Sequence, residues 1–320
     1  MKIACIMKFL IYFYLIIISN YNLQGQIQRT YNWYFGNYAG LNFTSGTAVP
    51  ILNSSMGSFE GCSCISDTNG NLLFYTNGGG SNGTYPYGFV WDKNGQVMPN
   101  GNLPIPGGCN SSQQSSMIIP KPGSINKFYL FTTDCIENSL IGGLRYSIID
   151  MSLNGDLGDI ETTNKNILLV TPIVEGLTAI KHANGIYYWL VVHKNATNEF
   201  YAFLIDSLGI NSPVISSLGY SFSGIGTNIK AAPDGSKISC TNSLFDFNPQ
   251  TGIISNWLIF NYGHYRSFSP NSQYLYVANA VNGKIYQYDV TVPNIALTEK
   301  LIGTITGVIG FGDLQIGPDN

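Results

Sequence analysis

Leu177-Thr-Ala-Ile180, then Asn184-Gly185, then Tyr187-Tyr-Trp-Leu-Val-Val192, then Phe200-Tyr-Ala-Phe-Leu-Ile205 stand in direct succession in the middle of the chain. An apolar strand, a tight Asn-Gly turn and a strongly aromatic and aliphatic strand read as a hairpin. A further aromatic strand follows it. No 3.6-residue apolar period runs through the stretch, so a helix is not expected here.

The same arrangement recurs on both sides. Upstream it reads Gly61-Cys-Ser-Cys-Ile-Ser-Asp67, Thr68-Asn69-Gly70, Leu72-Leu-Phe-Tyr75, and again Ser116-Met-Ile-Ile119, Pro122-Gly123, Phe128-Tyr-Leu-Phe131. Downstream come Asn228-Ile-Lys-Ala231, Pro233-Asp234-Gly235, Lys237-Ile-Ser-Cys240, and Tyr265-Arg-Ser-Phe268, Pro270-Asn271, Tyr274-Leu-Tyr-Val-Ala278. A last copy starts at Leu314-Gln-Ile316 and reaches only its turn, Pro318-Asp319-Asn320. The turns at 69, 123, 184, 234, 271 and 319 lie about 50 residues apart, the length of one four-stranded propeller blade. Each central hairpin is followed by a more polar pair of strands, such as Gly88-Phe-Val-Trp-Asp92 before Asn94-Gly95, or Leu144-Arg-Tyr-Ser-Ile-Ile149 before Asn154-Gly155. Apolar inner strands with wetter outer ones suit blades stacked around a channel. The expected fold is therefore all-β, a β-propeller of about six four-stranded blades, with seven left open and the last blade C-terminally incomplete. A β-helix would need shorter, more regular coils, and a β-sandwich would not repeat a four-strand unit five times. Leftover strands at Asn32–Phe35 and Leu41–Phe43 are expected to share one composite blade with Leu314–Ile316, the latter innermost.

Residues 1–25 read as a secretory signal peptide. Lys2 and Lys8 precede an apolar run from Phe9 to Ile18, and Gly25 offers a small residue at the cleavage point. The run is too short to span a bilayer and fits a signal h-region. Residues 26–320 form the expected propeller domain, with no transmembrane segment in the mature chain. Loss of Lys2 and Lys8 moves the formal charge from −3 to −5, since the leader carries no acid. Charged residues make up only 10% of the chain and show no basic cluster, which argues against nucleic acid as a partner. An extracellular or outer-surface location is expected, with the periplasm as the alternative.

Five cysteines remain after the leader: Cys62, Cys64, Cys109, Cys135 and Cys240. Export permits disulfides, and an odd count leaves at least one thiol free. Cys62 and Cys64 share one face of a strand and are poorly placed to join each other. A bridge from Cys62 or Cys64 to Cys109 is one reading; small buried thiols are the other. No CxxC or Cys/His spacing suggests zinc.

Ser269-Pro-Asn-Ser-Gln-Tyr-Leu-Tyr-Val-Ala-Asn279, continuing to Lys284-Ile-Tyr-Gln-Tyr-Asp289, resembles the YVTN-type repeat of bacterial surface propellers, which lactonase-like propellers share. Trp33-Tyr-Phe-Gly-Asn-Tyr-Ala-Gly-Leu-Asn-Phe43, Asn71-Leu-Leu-Phe-Tyr-Thr76 and Gly143-Leu-Arg-Tyr-Ser147 with Gly155-Asp-Leu-Gly-Asp159 are similar to a propeller module of secreted Bacteroidetes proteins. Relatives of that kind carry C-terminal domains for type IX secretion or gliding-associated attachment. The resemblance thus implies a surface location, while continuation past Asn320 into further C-terminal domains is left open. It implies no catalytic residues.

Lactonase-type propellers hold a cation with acidic and amide groups around the channel. By that likeness Glu60, Asp67, Asp134 and Glu175, the acids closest to inner strands, and His182 beside the third hairpin are the candidate ligand-binding residues at the channel mouth. Asp67-Thr-Asn69-Gly70-Asn71 faintly follows a calcium loop but lacks its later glutamate and doubles as a hairpin turn. Asp150, Asn154, Asp156 and Asp159 receive the same reading, so no cofactor is expected, with calcium as the exception to watch. Gly79-Gly-Ser-Asn-Gly83 matches GxSxG without the strand-to-helix turn a nucleophile needs and reads as a flexible loop. Tyr85, Tyr87 and Trp91 are placed to stack on sugar rings. The expected role is a non-catalytic binding or scaffold module, adhesion-like, for a surface protein or glycan. A lactonase-like or glycan-active hydrolase is the alternative, which acids converging on the channel mouth would favour.

Overall fold

In this computed structural model the described residues are 28–80, 88–104, 107–224, 228–261, 263–305 and 313–319. They form six antiparallel sheets, one after another along the chain. The first has three strands, β1 (Asn32–Phe35), β2 (Ala39–Asn42) and β3 (Val49–Ile51). The second runs β4 (Ser63–Ser66), β5 (Leu72–Thr76), β6 (Gly88–Asp92) and β7 (Val97–Leu103). The third comprises β8 (Ser116–Pro120), β9 (Lys127–Thr133) and β10 (Leu144–Asp150). Its outermost strand is split into β11 (Asp159–Ile160) and β12 (Ile167–Val170), which pair with opposite ends of β10. The fourth is β13 (Ile173–Lys181), β14 (Tyr188–Lys194), β15 (Thr197–Ile205) and β16 (Val214–Phe222). The fifth is β17 (Ile229–Ala231), β18 (Lys237–Cys240), β19 (Ser243–Phe247) and β20 (Ile254–Ile259). The sixth is β21 (Tyr265–Phe268), β22 (Tyr274–Asn279), β23 (Lys284–Asp289) and β24 (Lys300–Thr304). Strand order follows chain order in each four-stranded sheet. The innermost strands β4, β8, β13, β17 and β21 lie side by side around the axis. The architecture is a six-bladed β-propeller, with helix limited almost wholly to short 3₁₀ turns among the described residues.

Turn chemistry sets the inner hairpins. In the β4–β5 turn the Asp67 carboxylate accepts the N–H groups of Asn69 and Asn71, and Gly70 supplies the positive φ of 88°. Asn184 and Asp234 bond the backbone two residues onward in the same way. These side chains replace bonds a tight turn would otherwise leave open.

The core lies between blades rather than within them. Along β14, Trp189 and Val191 face the fifth blade, where they meet Ile238 and Phe245, while Leu190 and Val192 face Phe131 and Leu144 of the third. A strand alternates its side chains, so a strand clamped between two blades must be apolar at every position. This is why the second strand of most repeats reads as an apolar run, as in β5, β9, β14 and β22. Phe200 meets Phe245 edge to face, centroids 4.9 Å apart, across the same interface.

The ends of the ring differ from expectation in one respect. Leu314–Ile316 lies beside the first blade, since a Cβ built on Gly317 would come 3.3 Å from the Phe43 ring, and Asp313 pairs with Lys230 of β17. The segment does not form a regular ladder with β1 among the described residues. The described residues form six sheets.

Of the two cysteine readings, the bridge from Cys62 or Cys64 to Cys109 is overturned, and Cys62, Cys64 and Cys240 are free thiols. Cys109 is bonded to Cys135, with Cα atoms 5.6 Å apart, and neither Cys62 nor Cys64 takes part. Both of the latter turn toward β1, where Cys62 donates to the Tyr34 carbonyl, Cys64 to that of Asn32, and the Tyr34 N–H points at the Cys64 sulfur. Burial pushes these thiols up to about 12 and about 11, so both stay protonated.

Candidate functional site

Glu60, Ser112, Glu175 and Asn228 all come just before an inner strand or within its first residues, so the propeller gathers them at one mouth of the channel, and Asp313 joins them by accepting the Asn228 amide at 3.3 Å. The loops that follow the second strands of the blades reach the same end. The disulfide ties one loop of each kind within the third blade, Cys109 ahead of β8 to Cys135 after β9.

Glu175 is the centre of this arrangement and is only 1% exposed. Its carboxylate accepts the Ile136 N–H at 2.9 Å and the Gln113 N–H at 3.2 Å, one from each of the disulfide-tied loops. Its carbonyl accepts the hydroxyls of Ser112 and Thr133, both at 3.3 Å, and those two hydroxyls bond each other at 2.8 Å. Burial raises the carboxyl to about 7 against the pull of the two N–H bonds, and Glu60 and Glu137 add repulsion. Glu60 reaches solvent at the rim, and its carboxyl is raised by partial burial and by Glu137. Glu137 accepts the Ser111 hydroxyl at 2.9 Å. The Glu137 carboxylate and the two disulfide sulfurs form a group with metal-ligand spacing, but sulfurs joined to each other offer no thiolate.

Three further residues complete the mouth. The Gln114 side chain links three blades: its carbonyl oxygen accepts N–H bonds from Leu177 of β13 and Ile229 of β17, and its amide donates to the Ile229 carbonyl. Arg266 is fully buried and donates to the carbonyls of Asn228 at 2.7 Å and Gly263 at 2.9 Å. Lys230 is paired with Asp313. Sequence reasoning passed over all three. A charged residue inside the inner-strand pattern, Arg266 or Lys230, was the available signal; Gln114 carries none, because its role depends on the distance between blades.

The other candidates divide. Glu60 and Glu175 come together at the mouth. Asp134 lies behind it, buried, where its carboxylate holds the Gly142 N–H at 2.7 Å and the Asn138 amide at 2.8 Å. Asp67 and His182 sit at the far ends of their inner strands, in the hairpin turns. There His182 Nδ1 accepts the Asn184 N–H at 3.0 Å, so neither reaches the mouth. Trp91 is buried and stacked on Tyr75 at 5.4 Å between the first two blades, which corrects its expected role in sugar stacking. Tyr85, Tyr87 and Ser81 lie outside the described residues. Asn77–Gly80 is buried rather than a loose loop: a Cβ on Gly79 would fall 2.4 Å from the Gly108 backbone, and one on Gly78 2.0 Å from the Ser115 hydroxyl. In the second acidic stretch Asp159 is taken by the Asn100 backbone and amide, and Asp150 by Ser152 and Lys127. These carboxylates turn to separate partners.

No family model matches the chain, and no curated protein does. Solved structures do. A protein of unknown function from Desulfotomaculum acetoxidans superposes with a TM-score of 0.52 at 11% identity, over 86% of this chain and 80% of that one. The periplasmic gluconolactonase of Pseudomonas aeruginosa gives 0.52 at 13% identity, over 86% and 78%. At such identities the likeness establishes the propeller fold and nothing of the chemistry. Among the described residues no helix is long and apolar enough to cross a membrane.

Proposed function

We propose that the protein is an exported, non-catalytic β-propeller that binds a surface protein or glycan outside the cytoplasm. One observation carries this reading: most ionisable groups at the channel mouth already have protein partners. Both oxygens of Glu175 are bonded to backbone N–H groups, Arg266 is held by backbone carbonyls, Lys230 by Asp313 and Glu137 by Ser111. A hydrolase needs an acid or base that is free to exchange a proton with substrate. The hydroxyl-lined interior, Ser63 on Ser116 and Ser112 on Thr133, suits a structural hub. The Cys109–Cys135 bond supports an oxidising compartment, as the apolar run after Lys8 supports export. The likeness of Trp33–Phe43 to a propeller module of secreted Bacteroidetes proteins, and of Ser269–Asn279 to the YVTN-type repeat of bacterial surface propellers, supports attachment at the cell exterior.

The lactonase reading is favoured by two features, the gathering of Glu60, Glu137 and Glu175 at the mouth and a Glu175 carboxyl near 7, the range a general base requires. Hydrolysis of gluconolactone and 6-phosphogluconolactone, followed in a pH-stat with purified protein, separates the two. No acceleration over the spontaneous rate is expected. A turnover that disappears in Glu175→Gln would replace the binding reading by a catalytic one.

A further inference from the structure

The outer rim between the fourth and fifth blades carries a feature that the mouth does not explain. β15 and β16 pair in register from Ala202 opposite Val214 to Glu199 opposite Ser217, and then the register jumps to Thr197 opposite Phe222. Residues 218–221 are thereby thrown out of the ladder, with Gly219 at φ 84°. In the next blade Asp246 faces Ser255 and Leu244 faces Leu258, so Phe245 alone opposes Asn256 and Trp257. Asn256 adopts φ 54°, the left-handed conformation that asparagine takes more readily than most other residues. Bulges of this kind interrupt alternation and re-aim a side chain.

Here the two bulges face each other on neighbouring outermost strands, joined where the Ile254 N–H meets the Ser216 hydroxyl at 3.0 Å. They bring Tyr220 and Trp257 together edge to face, centroids 4.7 Å apart and planes at 86°. Tyr220 is 47% exposed and Trp257 36%. The pair is held in place: the indole N–H donates to the Ser243 hydroxyl at 3.0 Å, and the Asn256 amide to Asp246 at 2.9 Å. Ser217, Ser221, Ser255 and Asn256 stand exposed on the same two strands. The nearby Asp246 is already matched by Lys237 at 2.6 Å, so the locality carries no net charge.

We propose that the paired bulges form a binding site for a neutral glycan, with a pyranose ring laid against Tyr220 and Trp257. A pyranose presents apolar C–H groups on its face and hydroxyls at its edge. Fixed aromatic surface with hydroxyls and an amide on the same strands complements both. An anionic sugar would gain nothing here, since among the described residues the neighbouring cations Lys237 and Lys194 are already paired with Asp246 and Glu199. Ile215, Ile253 and Ile259 are also exposed on these strands and would suit a protein partner, but the groups beside the rings are polar. The site rests on the binding reading above and uses a different part of the molecule from the mouth.

Affinity electrophoresis in native gels containing laminarin, xylan, galactomannan or dextran tests it. At least one polysaccharide should retard the protein. Tyr220→Ser and Trp257→Ala should each weaken that retardation by about tenfold or more, while Trp257→Phe keeps part of it. Melting curves check each variant, and Tyr220→Ser, on the surface, decides the matter if Trp257→Ala unfolds. Mobility unchanged by all four polysaccharides, or retardation that survives both substitutions, would overturn the glycan site. So would a dimer in size-exclusion chromatography that Trp257→Ala disperses, which would give the patch to a second copy. The lactone assay reads the non-catalytic assignment independently of all these results.

Discussion

At the scale of single residues, two buried ionisable groups oppose each other. Glu175 rises to about 7 from an ordinary 4.5 because burial disfavours its charge. The folded state therefore holds its proton where the unfolded chain has lost it, and this group's contribution to stability falls as pH rises from about 4.5 to 7. His193 is fully buried between Phe200 and Phe222, and burial lowers it from 6.5 to about 4. Its contribution is present above 6.5 and is lost as pH falls toward 4. Each shift corresponds to about 3 kcal/mol, so between pH 4.5 and 6.5 the two nearly cancel. Urea denaturation across that range should show Glu175→Gln gaining stability relative to the parent as pH rises, and His193→Phe losing it. Parallel curves for parent and variants would refute the assignment. Glu175 could be picked out from the sequence as an acid at the start of an inner strand. Its partners could not, because they come from loops 39 and 62 residues away along the chain.

At the scale of elements, the inner hairpins were legible because their causes are local. Asp67, Asn184 and Asp234 bond backbone within a few residues, and the apolar run after each turn announces a strand covered on both sides. Phe200 shows what that cover contributes. It is fully buried between blades, and Phe200→Ala should cost about 3–5 kcal/mol, whereas Leu208→Ala, at a position 95% exposed, should stay within about 0.5 kcal/mol. Equal melting temperatures for the two variants would contradict a core placed between blades. The split outer strand of the third blade and the two rim bulges were not legible. A bulge arises where a strand accommodates its neighbour's length and side chains, and neither Gly219 nor Asn256 marks one by itself. For the same reason the burial of Trp91 and the exposure of Trp257, both in strands, could not be read from the sequence. One is packed inside and the other is turned out.

At the scale of the molecule, closure of the ring depends on residues far apart in the chain. Asp313 reaches Lys230 of the fifth blade while Gly317 rests on Phe43 of the first. A partly exposed ion pair contributes at most about 1 kcal/mol, so Asp313→Ala should leave the melting temperature nearly unchanged. It should still speed proteinase K cleavage beyond Thr304, read by mass spectrometry, with the inner blades untouched. An unaltered cleavage rate would show that the Phe43 contact alone holds the segment. Repeat length, turn residues and apolar runs by themselves determined that this chain folds as a propeller of about six blades, since each unit's pattern is set by neighbours within some tens of residues. Tertiary structure alone decided the Cys109–Cys135 pairing, the set of side chains at the mouth and the aromatic pair on the rim. Each of these joins separate loops or blades, and the distance between them is fixed only when the sheets pack.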